Sequence, residues 1–209
     1  MITRRLVLAS LGVASAFPAR ATPNKGAVIT LLGDSITAGL GLPLADTLPK
    51  RLQDALAKRG LKAIVRGAGV SGDTTAGALA RLDFSVQRDT TLCIVELGGN
   101  DFLQSVDPIQ VQDNLAQIAG RLRARGIKVL IAAGHAPKGS SGSYGRSFDK
   151  AFKDAALKTG AVLLPDFLDE VLSYPGLRQA DGIHPNAKGV DSLVSRLTPS
   201  VIRILGNKT

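Results

Sequence analysis

Five short apolar runs punctuate the chain: Ala27 to Leu32, Ala63 to Val65, Leu92 to Leu97, Ile127 to Ala133 and Ala161 to Leu164. They are continuously hydrophobic with no strict alternation, the pattern of strands covered on both faces in a parallel sheet. Between them apolar residues recur at helical spacing. Val111, Leu115, Ile118 and Leu122 form one stripe, with Asp107-Pro108 placed as cap and first helical residue and Gly126 just past the end. Leu48, Leu52, Ala55 and Leu56 predict a second helix, and Phe148, Phe152, Ala155 and Ala156 a third. A fourth runs through Val190, Leu193, Val194, Leu197, Val201 and Leu205, where Pro199 predicts a kink or restart near Thr198. Strands alternating with helices imply right-handed crossovers, so the pattern predicts an α/β fold, a three-layer αβα sandwich on five parallel strands. Ligand sites in such sheets lie beyond the carboxyl ends of the strands.

The first 21 residues, MITRRLVLASLGVASAFPARA, break this pattern, because no polar face recurs at helical spacing. A basic start, an apolar stretch from Leu6 to Ala16, and small residues at Ala19 and Ala21 are the parts of a cleavable export signal. The stretch is far shorter than the roughly 20 residues that span a bilayer. Arg4-Arg5 suits the twin-arginine route and equally the basic start of a general secretory signal. The expected organisation is an export signal over 1–21, read by export machinery, and one domain over 22–209. That domain would be periplasmic or secreted, with no stable membrane insertion once the signal is cleaved.

Composition narrows the function classes. With 44% hydrophobic and 21% charged residues in 209, the chain is globular and long enough for a substantial core. The formal charge of +9 falls to +6 without Arg4, Arg5 and Arg20. The remaining basic residues are scattered and aromatics make up only 4%, so the stacking platform of a nucleic-acid binder is missing. Cys93 is the one cysteine, so neither an internal disulfide nor a structural zinc site follows from it. Between Leu92 and Ile94 it reads as a buried small hydrophobe.

Four short motifs carry candidate chemistry. Gly33-Asp34-Ser35-Ile36-Thr37 follows the first strand and presents a serine hydroxyl on a turn where backbone N–H groups converge. Alone, the same turn is equally a helix start capped by Asp or Ser. It contains neither G-x-S-x-G nor a phosphate loop. Gly69-Val70-Ser71-Gly72-Asp73-Thr74 follows the second strand, and Gly72 lets an N–H approach a reacting oxygen with no side chain in the way. Glu96-Leu97-Gly98-Gly99-Asn100-Asp101 ends the third strand and can aim the Asn100 amide into the same crevice, with Glu96 structural. Asp181-Gly182-Ile183-His184-Pro185 precedes the last helix; its carboxylate can orient the imidazole while the other ring nitrogen faces a serine. His135, the only other histidine, is a rival base or a cleft-lining residue.

Taken together, Gly33-Asp34-Ser35, Gly72, Gly99-Asn100-Asp101 and Asp181-x-x-His184 resemble the SGNH hydrolases, also called the GDSL esterase/lipase family. The likeness covers nearly all of the chain after residue 21 and is greatest to the bacterial branch of acyl-CoA thioesterases, lysophospholipases and arylesterases. It implies a flavodoxin-like sheet of order 2-1-3-4-5 and hydrolysis of a small-molecule ester or thioester with neither metal nor organic cofactor. Ser35 would be the nucleophile, His184 the base and then acid, and Asp181 the orienting carboxylate. The Ser35 and Gly72 N–H groups and the Asn100 amide would form the oxyanion hole. Asp34, Phe102, Leu103 and Tyr144 are the expected substrate contacts, under a Gly/Ser-rich rim from Gly134 to Tyr144, with Lys138 and Arg146 nearby for an anionic head group. Two departures bear on substrate shape: Gly67 stands where that branch commonly has Asn, and Phe102 where Gly is frequent. A carbohydrate O-deacetylase on the same scaffold, or a binding module without catalysis, are the alternative readings.

Overall fold

A computed structural model describes residues 26–134 and 142–206. The expected export signal, His135 and Lys138 lie outside those residues. Five strands form one parallel sheet: β1 (Ala27–Gly33), β2 (Ala63–Gly69), β3 (Leu92–Leu97), β4 (Lys128–Ala133) and β5 (Val162–Leu164). Their order is β2-β1-β3-β4-β5, as the family likeness implied. The chain thus reverses direction across the sheet between β1 and β3, which opens a crevice at their carboxyl ends. The connecting helices are α1 (Ser35–Ala38), α2 (Leu48–Lys58), α3 (Thr75–Ala80), α4 (Leu82–Ser85), α5 (Gly99–Leu103), α6 (Pro108–Ala124), α7 (Ser143–Thr159), α8 (Asp169–Ser173) and α9 (Ala187–Gly206).

Alternate residues of the central strands feed two cores. Cys93, Val95 and Leu97 of β3 face one layer with Val129 and Ile131 of β4, beneath α3, α4, α6 and α7. Leu92 and Ile94 face the other layer with Ile29 and Leu31 of β1, beneath α2, α8 and α9. The periodic stripes read from the sequence are the buried stripes: Val111, Ile118 and Leu122 of α6 are fully enclosed, as are Leu48, Leu52 and Leu56 of α2. Burying each such side chain contributes about 1.5–3 kcal/mol.

Two expectations need correction. The edge strands β2 and β5 are only half-covered, because each has a neighbour on one side alone; continuous burial holds for β3 and, past their first residues, for β1 and β4. Pro199 does not break α9, which is one helix to Gly206. Pro199 and Ser195, whose carbonyl loses its intrahelical donor, both lie on the exposed face, where water can take that bond, while Leu197 and Val201 hold the opposite face in the core. Among the described residues, no helix is long and apolar enough to cross a membrane.

Candidate active site

The four motifs meet at the carboxyl ends of β1, β2 and β3. Asp34 caps α1, its Oδ1 accepting from the Ile36 N–H at 3.0 Å, so that Ser35 becomes the first helical residue, 9% exposed. Its Oγ lies 2.8 Å from Nε2 of His184, which is 149 residues away in sequence. His184 Nδ1 lies 2.6 Å from Asp181 Oδ2. The other oxygen, Oδ1, accepts the N–H groups of Ile183 at 2.9 Å and His184 at 3.0 Å. The Ile183 N–H, with the His184 ring and N–H beside it, holds the Asp181 carboxyl down at about 2. At neutral pH Asp181 is therefore an acceptor only, so in the neutral imidazole Nδ1 is the protonated nitrogen and Nε2 presents a lone pair to the Ser35 hydroxyl.

Asn100 sits at the start of α5, where its Nδ2 donates to the Asp73 carbonyl at 2.9 Å and to Asp34 Oδ2 at 3.2 Å. Those partners adjoin Gly72 and Ser35 in the chain, so the amide stands between the two turns. Gly72 is exposed with φ +82°, a left-handed conformation that glycine adopts without strain, and its N–H makes no hydrogen bond to the described chain. Beneath lie two buried carboxyls. Burial pushes Asp34 up to about 6, against the Ile36 hydrogen bond. Glu96, 3% exposed, accepts from the Thr37 hydroxyl at 2.8 Å; burial, with Asp34 nearby, raises it well above the usual range. Cys93 is enclosed in the sheet, its thiol pushed up to about 12 by burial, far from a reactive thiolate.

Ser35 and His184 open onto a cavity of about 680 Å³, within the range of small-molecule sites. Ile36, Phe102, Leu103, Leu168, Leu172 and Ile183 make its wall largely apolar. Asp34, Phe102 and Leu103 thus lie where substrate contacts were expected. Tyr144 does not line the cavity: it packs against Phe102 at 5.6 Å between ring centroids and donates its hydroxyl to the Val106 carbonyl, so it stands behind the wall. Gly67 is also away from the cavity, in the middle of β2, where a Cβ would press on Pro49 of α2 at 2.9 Å. The expected rim lies mostly outside the described residues, and Arg146 is exposed on α7.

Sequence reading missed the braces behind these groups. Asp101, fully buried, accepts the Thr75 N–H at 2.9 Å and the Thr75 hydroxyl at 2.6 Å, and Asn114 of α6 donates to that hydroxyl at 3.1 Å. Arg81 pairs with Asp73 at 2.7 Å and donates to the Ala68 and Gly33 carbonyls, joining the first two turns. Polar residues inside helices at Asn114 and Thr75 were the available signal; their pairing required the tertiary fold. Among the described residues, no three His, Cys, Asp or Glu side chains are grouped to hold a metal ion.

Residues 31–191 match the model of the GDSL-like lipase/acylhydrolase family. The chain is 37% identical to esterase TesA of Pseudomonas aeruginosa over 178 residues, covering 85% of this chain and 89% of that one. It is 33% identical to thioesterase 1/protease 1/lysophospholipase L1 of Escherichia coli K12, covering 83% and 84%. The crystal structure of TesA superposes with a TM-score of 0.79 at 37% identity, covering 83% of this chain and 97% of the other.

Proposed function

Since the chain belongs to the SGNH, or GDSL-like lipase/acylhydrolase, family and is a hydrolase of ester bonds, we propose that Ser35 works through an acyl-enzyme on carboxylic esters and thioesters of apolar acyl chains. The Ser35 hydroxyl gives its proton to His184 Nε2 as Oγ bonds to the acyl carbonyl carbon. The carbonyl oxygen becomes an oxyanion, accepting from the Ser35 and Gly72 N–H groups and from Asn100. Both Asn100 hydrogens are engaged at rest, so the longer bond, to Asp34, is the one that yields to the oxyanion. His184 then returns the proton to the departing alcohol or thiol as the tetrahedral adduct collapses. A water, deprotonated by the same imidazole, releases the acid and restores the serine. Asp181 keeps its charge throughout and stabilises the imidazolium.

The observation that carries this reading is the unbroken chain of contacts from Asp181 through His184 to Ser35 at 2.6 and 2.8 Å. The apolar cavity beside Ser35 suits an acyl chain better than a sugar, which favours this substrate class over an acetylated glycan. Residues 1–21 support placement in the periplasm or outside the cell. Purified Ser35→Ala protein is expected to lose at least about 10³-fold in hydrolysis of p-nitrophenyl butyrate and all covalent labelling by a fluorophosphonate, with unchanged circular dichroism. Retained turnover would overturn the assignment.

A further inference from the structure

One cation on the cavity wall has no part in the chemistry above. Arg178 leaves the short helical turn Pro175–Leu177 on extended backbone, φ −110° and ψ 158°, and bridges to Pro185 beside His184. Its Nη1 donates to the Gly182 carbonyl at 2.7 Å, and its Nε is enclosed without a hydrogen-bond partner. Arg51, Arg66, Arg81 and Arg121 are each paired with an aspartate, whereas no ion pair among the described residues includes Arg178, which, unlike them, stands on the cavity wall. Two carboxylates share the cavity wall, Asp34 and Asp169, and neither forms an ion pair with Arg178. The Asp34 carboxylate is already engaged by Ile36 and Asn100.

A guanidinium half-withdrawn from water on an apolar wall, fixed at one nitrogen and short of acceptors at the others, is suited to an anion that arrives with the ligand. We infer that Arg178 is a specificity-determining residue that receives an oxyanion carried by the substrate, a carboxylate or a phosphate, within reach of the Ser35 centre. Its bond to Gly182 leaves Nη2 free, and the bracing of residues 178–186 keeps the guanidinium from following the anion into solvent. The inference deepens the esterase reading and rests on it for the position of the scissile bond.

The test reads discrimination between matched substrates. One arm compares the p-nitrophenyl ester of suberic acid, with a free terminal carboxylate, against its methyl-capped form. The other compares 1-decanoylglycerol 3-phosphate against 1-decanoylglycerol. Arg178→Gln, whose amide can still donate to Gly182, is expected to lower the anionic-to-neutral ratio of kcat/KM about 10- to 100-fold in at least one arm, mostly through KM. Arg178→Lys should restore most of that ratio, and the arm that responds identifies the oxyanion. A ratio unchanged in both arms, whether both rates fall together or neither does, makes Arg178 a brace for the loop and overturns the inference. Titration calorimetry of Ser35→Ala with the same four ligands, with and without Arg178→Gln, reads the discrimination without turnover. Anion selectivity at Arg178 is therefore measurable even where the esterase reading fails.

Discussion

Asp181 and Asp34 each adjoin one member of the Ser35–His184 pair, and their surroundings drive them in opposite directions. Donated hydrogen bonds hold Asp181 at about 2, so its contribution to stability is complete above about pH 4 and is lost as pH falls toward 2. Burial holds Asp34 at about 6, so the native state keeps that proton after the unfolded chain has released it. The Asp34 contribution is full below about pH 4, declines as pH rises through 6, and amounts to about 3 kcal/mol across the interval. Glu96, raised for the same reason, acts in the same direction. Urea unfolding of the protein and of Asp34→Asn at pH 4 and pH 7 tests this. The stability of the protein relative to the variant is expected to fall by about 2–3 kcal/mol on going to pH 7, and a constant difference would refute it. The variant should also lose kcat, because an amide at residue 34 turns a donor toward Asn100.

At the scale of elements, sequence legibility followed the period of burial. The α6 stripe was readable because one face of a long helix repeats, and Asp107 caps it as read, accepting from the Ile109 N–H at 2.9 Å. Leu115→Ala is expected to cost about 2–5 kcal/mol in urea unfolding, since the fully covered site cannot close around the void. The short helices α3, α5 and α8 were not readable, because five or six residues show too little of the helical period. Their placement comes from polar contacts between distant segments, above all Thr75 with Asp101. The candidate site residues could be singled out for a different reason: Ser35, Gly72, Asn100 and His184 stand in short strings tied to strand ends and turns. Tyr144 misled because an aromatic near a crevice looks the same whether it forms the wall or supports it. Thr75→Val keeps the shape of residue 75 but strands the Asp101 carboxylate with one donor fewer. It should cost about 1–3 kcal/mol of stability and lower kcat more than it raises KM, because Asn100 adjoins Asp101. Kinetic constants equal to those of the unaltered protein would show that this brace does not act on Asn100.

Across the whole molecule, the two halves of the Ser35–His184 contact belong to regions of unequal strength. Ser35 opens α1 two residues past β1, a strand with neighbours on both sides and residues in both cores. His184 stands on residues 175–186, of which only Pro185 is buried. Gln179 joins the regions: its N–H donates to the His184 carbonyl at 2.8 Å, and its side-chain amide donates to the Leu40 carbonyl at 2.8 Å and the Pro185 carbonyl at 3.0 Å. Gly41 makes room for that amide, since any Cβ there would run into Gln179 Oε1, and its φ of +76° favours glycine as well. A segment held by a few hydrogen bonds and little apolar burial opens at a lower free energy than the sheet does. Activity in rising urea should therefore vanish before circular dichroism reports unfolding. Gln179→Ala should widen the gap by lowering the midpoint of activity loss while leaving the structural midpoint nearly in place. If the two midpoints coincide in both proteins, the 175–186 segment unfolds only with the sheet, and the Ser35–His184 contact is as durable as the core that supports it.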